Sequence, residues 1–150
     1  MQALEPLRQA GYLTTYANGT LVTSAVTVIG TGNSPLDGVK QLDPRDFFFD
    51  GPLAQLTDPS LNTTWGPTLS PIASTDFGEE IGWSGIGNIS DAQLATIVQY
   101  IENAHAVNIK ARFYDTPGWP IQARTNVWNL LLNSGADWLN ADDLEAASSF

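Results

Sequence analysis

Residues Ile109 to Pro120 read IKARFYDTPGWP, and this stretch decides the fold. Its apolar, alternating start and its abrupt change to Asp115, two prolines and a glycine describe a short buried strand that ends in an irregular, aromatic-capped turn. Polar groups delivered to the end of a buried strand mark the mouth of a site. One helix-length further on, Asp137 to Asp143 (DWLNADD) is a second short apolar strand that ends in carboxylates. Two strands that finish in charge at crossover spacing predict a β/α repeat whose strand ends face one common cleft.

The same alternation of element types runs outward in both directions. Glu5 to Gly11 reads as a helix ended by Gly11, without a capped beginning, as though cut. Tyr12 to Tyr16 and Leu21 to Thr23 flank Asn18-Gly19, a strong hairpin signal. The apolar β-branched run Ala25 to Ile29 predicts a strand covered on both faces. Ser34-Pro35 can cap and open a helix to about Leu42, which Asp43-Pro44 breaks. Arg45 to Asp50 (RDFFFD) predicts another strand with apolar cover on both sides, and Gly51 to Leu69 a long loop over the strand ends. A short strand at Ser70 to Thr75 and a glycine-rich loop from Asp76 to Asn88 follow.

The clearest helix begins at Ser90, which forms a capping box with Gln93; Leu94, Ile97, Val98, Ile101 and His105 follow at helical spacing, to about Val107. Pro120 sits where a first helical residue belongs, Val127, Trp128, Leu131 and Leu132 form an apolar stripe, and Gly135 supplies the stop. A strand at Trp138 to Asn140 and a short helix from Leu144 close the chain. This order predicts an α/β fold in which a leading β-hairpin precedes about five parallel strands. Five units fall short of eight, so the reading is one domain over residues 1–150 that forms the carboxyl-terminal part of a (β/α)8 barrel.

Composition narrows the chemistry. Sixteen carboxylates stand against 6 Lys and Arg, a net charge of -10 that disfavours DNA, RNA or anionic membrane as partners. Cysteine is absent, which removes disulfides, thiolate catalysis and Cys metal sites, and the single histidine precludes a two-histidine acid/base pair from this chain. No apolar stretch is long enough to span a bilayer, and the opening residues have no signal-peptide pattern. Three N-glycosylation patterns, at Asn18, Asn62 and Asn88, are compatible with a secreted precursor and also arise by chance, so localisation stays open.

Taken together, AVTVIGTGNSP, RDFFFDGPL, IKARFYDTPGWP and RTNVWNLLLNSGADWLNADDLEAA resemble the carboxyl-terminal half of fungal altered-inheritance-of-mitochondria proteins, within the phospholipase-C-like, glycerophosphodiester-phosphodiesterase-like superfamily. The resemblance implies a TIM barrel that hydrolyses phosphoric diesters with acid/base histidines and a carboxylate-held divalent cation, Mg or Ca. Its substrate would be a small phosphodiester or a lipid head group. The family's His-containing and acidic motifs have no match here, and His105 lies in a helix rather than at a strand end. The expectation is therefore a hydrolase-like chain inactive alone, with no catalytic residue of its own. The alternative is a non-catalytic barrel module acting through binding or through self-association that covers exposed sheet edges.

Within that picture Arg112, Tyr114, Asp115, Asn140 and Asp142 surround one cleft. Arg112 is the phosphate candidate because its forked donors match phosphate oxygens; pairing with Asp50, Asp115 or Asp142 is the structural alternative. Tyr114 could stack on substrate or fill the barrel, and Trp119 could guard the mouth or pack its own loop. Asp142 is the metal candidate, although adjacent Asp142 and Asp143 also suit a helix cap. His105 follows its helix's apolar spacing, so a structural role is expected. Gly30 and Gly32 lack the rest of a phosphate-binding loop and read as a turn. The loops of Trp65, Trp83 and Trp119 offer a surface for carbohydrate or lipid, or ordinary packing.

Overall fold

The computed structural model describes residues 2–150. A short helix, α1 (Glu5–Gln9), stops as Gly11 takes a left-handed φ of 70°. The hairpin β1 (Thr15–Ala17) and β2 (Thr20–Val22) turns on Asn18 and Gly19, both at positive φ. Asn-Gly tolerates the two left-handed residues that a tight twisted hairpin needs.

Five parallel strands follow: β3 (Ile29–Gly30), β4 (Phe48–Pro52), β5 (Ile72–Asp76), β6 (Lys110–Tyr114) and β7 (Trp138–Leu139). They lie in the sheet in chain order, β3-β4-β5-β6-β7. The connections carry α2 (Leu36–Lys40), the single-turn α3 (Phe77–Glu80), α4 (Asp91–Ala106) and α5 (Ile121–Asn133), and α6 (Leu144–Ser148) follows β7. The chain is thus mixed α/β, with a five-stranded parallel sheet and a two-stranded antiparallel hairpin.

Register separates the two faces of the sheet. Ala73 pairs with Ala111, and Thr75 with Phe113. Ala73, Ala111 and Phe113 join Phe77, Ile97, Ile101, Val127 and Leu131 from α3, α4 and α5 in one buried core. Phe77 meets Phe113 edge-to-face at 6.4 Å. Each such fully buried side chain contributes roughly 1.5–3 kcal/mol of burial free energy, which is why the helices collapse on this face. Asp50, Ser74, Asp76, Arg112 and Tyr114 occupy the other face by strand alternation. Toward the starts of the strands that face is closed by Phe48 and Ile72, both buried. There the hairpin docks: Tyr16 and Arg45 exchange backbone hydrogen bonds of 2.9 Å, and the Arg45 guanidinium lies 4.0 Å from the Tyr16 ring centroid.

Several expectations need correction. Ala25 to Ile29 is not a strand covered on both faces: only Ile29–Gly30 pairs with β4, and Ala25, Val26 and Thr27 are exposed along the sheet edge. β-branched composition reports strand preference, and tertiary position sets whether a second face is covered. Ser34 does not cap α2; its hydroxyl donates to the Thr31 carbonyl, and Pro35 holds the N-cap position. The triple-Phe strand starts and ends later than expected, at Phe48 and Pro52. The Gly51 to Leu69 segment is more than a loop: it carries two single turns of 3-10 helix, Leu53–Gln55 and Pro59–Leu61, and its Trp65 is buried and stacks on Phe49 at 6.2 Å. Asp76 to Asn88 hides α3, capped by Asp76 Oδ1 accepting from the Glu79 N–H. Leu132 faces outward, and Pro120 precedes α5 as its N-cap.

Candidate functional site

A cleft of about 760 Å³ opens where the parallel strands end. Its floor is the polar face of the sheet with the ends of β4 and β5, and the loops after β3, β6 and β7 supply its walls through Thr31, Gly32, Asp115, Asn140 and Asp142, as open α/β sheets arrange their sites. Arg112, Tyr114, Asp115, Asn140 and Asp142 all line it. Trp119 does not: the loop after β6 turns its indole outward, 78% exposed.

Arg112 stands at the centre. One end of the guanidinium, Nη2, donates to Asn140 Oδ1 on the chain after β7, and Nη1 lies 3.5 Å from Ser74 Oγ on β5. Asp50 on β4 is 3.9 Å away, a loose ion pair. Arg112 is thus paired to Asp50, and it also lines the cleft, with 28% of its side chain exposed. The Tyr114 ring sits 5.9 Å from the Arg112 guanidinium carbon. Burial first, then the Asp76, Glu79 and Asp50 carboxylates, push the Tyr114 hydroxyl up and keep it a proton donor.

Asp50 entered the sequence reading only as a partner for Arg112, yet it lies on the cleft floor. Its side chain is 11% exposed and its Oδ1 has no hydrogen-bond partner. Burial raises the Asp50 carboxyl above the ordinary range, against the opposing pull of Ser74 and Arg112. Ser74 and Asp76 were missed too, although both alternate with the same face as Arg112. Gly78 explains how two carboxylates gather at the rim: a Cβ there would lie 3.3 Å from both Asp76 Oδ1 and Asp115 Oδ2. Asp115 itself takes a left-handed φ of 53°, which turns the chain away from β6.

The pair Asp142 and Asp143 divides its labour. Asp143 caps α6 through the Ala146 N–H and accepts from Arg124 Nη1 at 2.8 Å; these contacts hold its carboxyl below the usual range. Asp142 faces the cleft and a smaller adjoining pocket of about 150 Å³. Asp50, Asp76, Asp115 and Asp142 line the cleft, but among the described residues no three His, Cys, Asp or Glu side chains come close enough to hold one metal ion. His105 lies away from the cleft, 2.8 Å from Asp137 Oδ2, which also accepts the Ala111 N–H. No helix among the described residues is long and apolar enough to cross a membrane.

Comparison with known proteins bears on this cleft. Residues 1–50 match the model of the AIM6-like phosphodiesterase domain. The whole chain is 40% identical to the altered inheritance of mitochondria protein 6 homolog of Arthroderma benhamiae and covers 47% of that protein. It is 31% identical over 98% of its length to altered inheritance of mitochondria protein 6 of Eremothecium gossypii, covering 40% of it. The Candida glabrata protein of the same name is 31% identical over 96% of the chain, which spans 39% of that relative. The chain thus spans less than half the length of these curated relatives. No solved structure matches. Along its whole length the chain is thus similar to part of the fungal altered inheritance of mitochondria protein 6 and its homolog.

Proposed function

We propose that this chain is the substrate-holding sector of a (β/α)8 phosphoric diester hydrolase. The observation that carries the reading is the Arg112 guanidinium, oriented by Asn140 and Ser74 at the floor of a cleft at the strand ends. Five parallel strands in chain order, linked mainly through helices, support the barrel part of this reading, and the family model that residues 1–50 match, a phosphodiesterase domain, supports the chemistry.

In this reading Arg112 neutralises the phosphoryl oxygens with forked donors, and Asn140 holds its plane. Tyr114 shapes the wall beside it, and Asp115 accepts from hydroxyls of the alcohol portion. A phosphodiester beside four carboxylates needs more positive charge than one guanidinium. A divalent cation would meet that need only with ligands from outside these residues, Asp142 being the contributor from this side. Trp119 takes no part in the cleft.

The test is calorimetric titration of the chain with glycerophosphocholine in Mg²⁺, beside a chromogenic phosphodiester assay in Mg²⁺ or Ca²⁺. Arg112-dependent binding without turnover is expected. Binding that Arg112→Ala leaves unchanged would refute the phosphodiester reading. Metal-dependent turnover lost in Arg112→Ala would show that the chain needs no further catalytic groups.

A further inference from the structure

Of the three loops that carry Trp65, Trp83 and Trp119, the fold leaves one with an exposed indole. Trp65 is buried and Trp83 is half-buried, whereas Trp119 is 78% exposed. It is not isolated. Ile121 at the start of α5 is 56% exposed, and Leu144 at the start of α6 is 76% exposed. These residues follow β6 and β7 along the chain, beside Pro117, Gly118 and Asp143, which line the pocket adjoining the cleft. The two loops are joined: Arg124 on the first turn of α5 bonds Asp143, the residue before Leu144, and both loops line the pocket that shares Asn140 and Asp142 with the cleft.

We propose that Trp119, Ile121 and Leu144 form a docking rim that inserts into the surface of a zwitterionic phospholipid bilayer. Three features of the rim select this occupant. Its apolar area comes from three side chains on two loops, far short of the roughly 20 or more residues a side that a stable protein interface uses, yet sufficient for shallow, reversible insertion. Trp is the side chain best suited to the interface between head groups and acyl chains, because an apolar body and one N–H donor match both zones. The net charge of -10 repels anionic lipid and leaves zwitterionic head groups as the compatible surface. Pro117 and Pro120 restrict the loop that carries Trp119, so little conformational freedom is lost on insertion.

Docking stands on residues other than those that hold phosphate, so it is tested separately from the hydrolase reading. The chain is sedimented with phosphatidylcholine vesicles, with and without acyl-chain bromine as a quencher of indole fluorescence. The chain should pellet with these vesicles, less with phosphatidylserine vesicles, and show quenching that Trp119→Phe removes. Trp119→Ala should lower partitioning about tenfold, and Leu144→Ser several-fold. Arg112→Ala should dock like the parent, whatever happens to phosphodiester binding. Three results overturn the proposal: a chain that stays in the supernatant; a natively folded Trp119→Ala, Leu144→Ser double variant that pellets like the parent; or a lipid-free dimer by light scattering that this double variant returns to monomer, which would assign the rim to a second copy.

Discussion

Arg112 Nη2 donates to Asn140 Oδ1 across the end of the sheet, joining two residues 28 positions apart. The bond fixes the guanidinium plane that would face a phosphate. Asn140→Ala should therefore weaken phosphodiester binding about tenfold without unfolding the chain, a charge-assisted hydrogen bond being worth roughly 1.5–3 kcal/mol. Arg112→Lys should not restore binding, because an ammonium cannot reproduce the fork. Titration calorimetry of both variants, with circular dichroism as the folding control, checks this.

Asp50 illustrates a site residue held at a cost to stability. Burial raises its folded-state pKa above the ordinary 3.8, so its penalty is absent below that value and grows as pH rises through the folded value. Asp50→Asn should raise stability at pH 7, with the gain vanishing below about pH 4, while loosening Arg112. Urea unfolding at the two pH values, beside phosphodiester titration, would separate the effects; a less stable variant at pH 7 would contradict the sign.

Asp137 behaves in the opposite sense. Burial pushes its carboxyl up, but the Ala111 N–H and then His105 outweigh burial and hold it below 3.8. A depressed folded-state value gives stability that is present above 3.8 and lost as pH falls through the folded value. Asp137→Asn should cost about 1 kcal/mol at neutral pH and flatten the acid limb of the stability curve. Denaturant midpoints from pH 2 to 7 would show it.

Gly85 supports the floor of the loop before α4. A Cβ there would sit 2.4 Å from the Ala123 carbonyl oxygen, and its φ is 78°. Both clash and backbone strain act, so Gly85→Ala should destabilise by about 3 kcal/mol. Thermal unfolding tests it. Gly87, with φ 71° and no neighbour within 4 Å, should suffer only the smaller backbone cost when changed to Ala.

Much of the architecture was legible because its signals are local. The Ser90 and Gln93 capping box forms as read, with Gln93 also reaching the Ile81 carbonyl. The Asn18-Gly19 turn, the Gly135 stop and the β6 strand follow from backbone preferences that need no distant partner. Where the reading failed, placement decided. Ser34 lies one residue before the N-cap of α2, which is Pro35, and its hydroxyl donates to the Thr31 carbonyl three residues back. Leu132 belonged to the apolar stripe by spacing, yet α5 turns Val127, Trp128 and Leu131 inward and leaves it outside.

The candidate site divides in the same way. Alternation along β6 put Arg112 and Tyr114 on one face, and DWLNADD announced a second strand end with polar groups, so the cleft's position could be read from sequence. That Asp50 would stand 3.9 Å from Arg112, that Asn140 Oδ1 would accept a hydrogen bond from it, and that Trp119 would stay outside the cleft depend on sheet order and loop direction. The sequence by itself determined the elements with strong local signals, α4, α5, β6 and the Asn18-Gly19 turn among them, and which strand ends carry charge, because those properties follow from residue shape and period. The tertiary structure alone decided which carboxylate meets which donor and which aromatic meets solvent, because those contacts join residues that only the parallel sheet brings within a few ångströms.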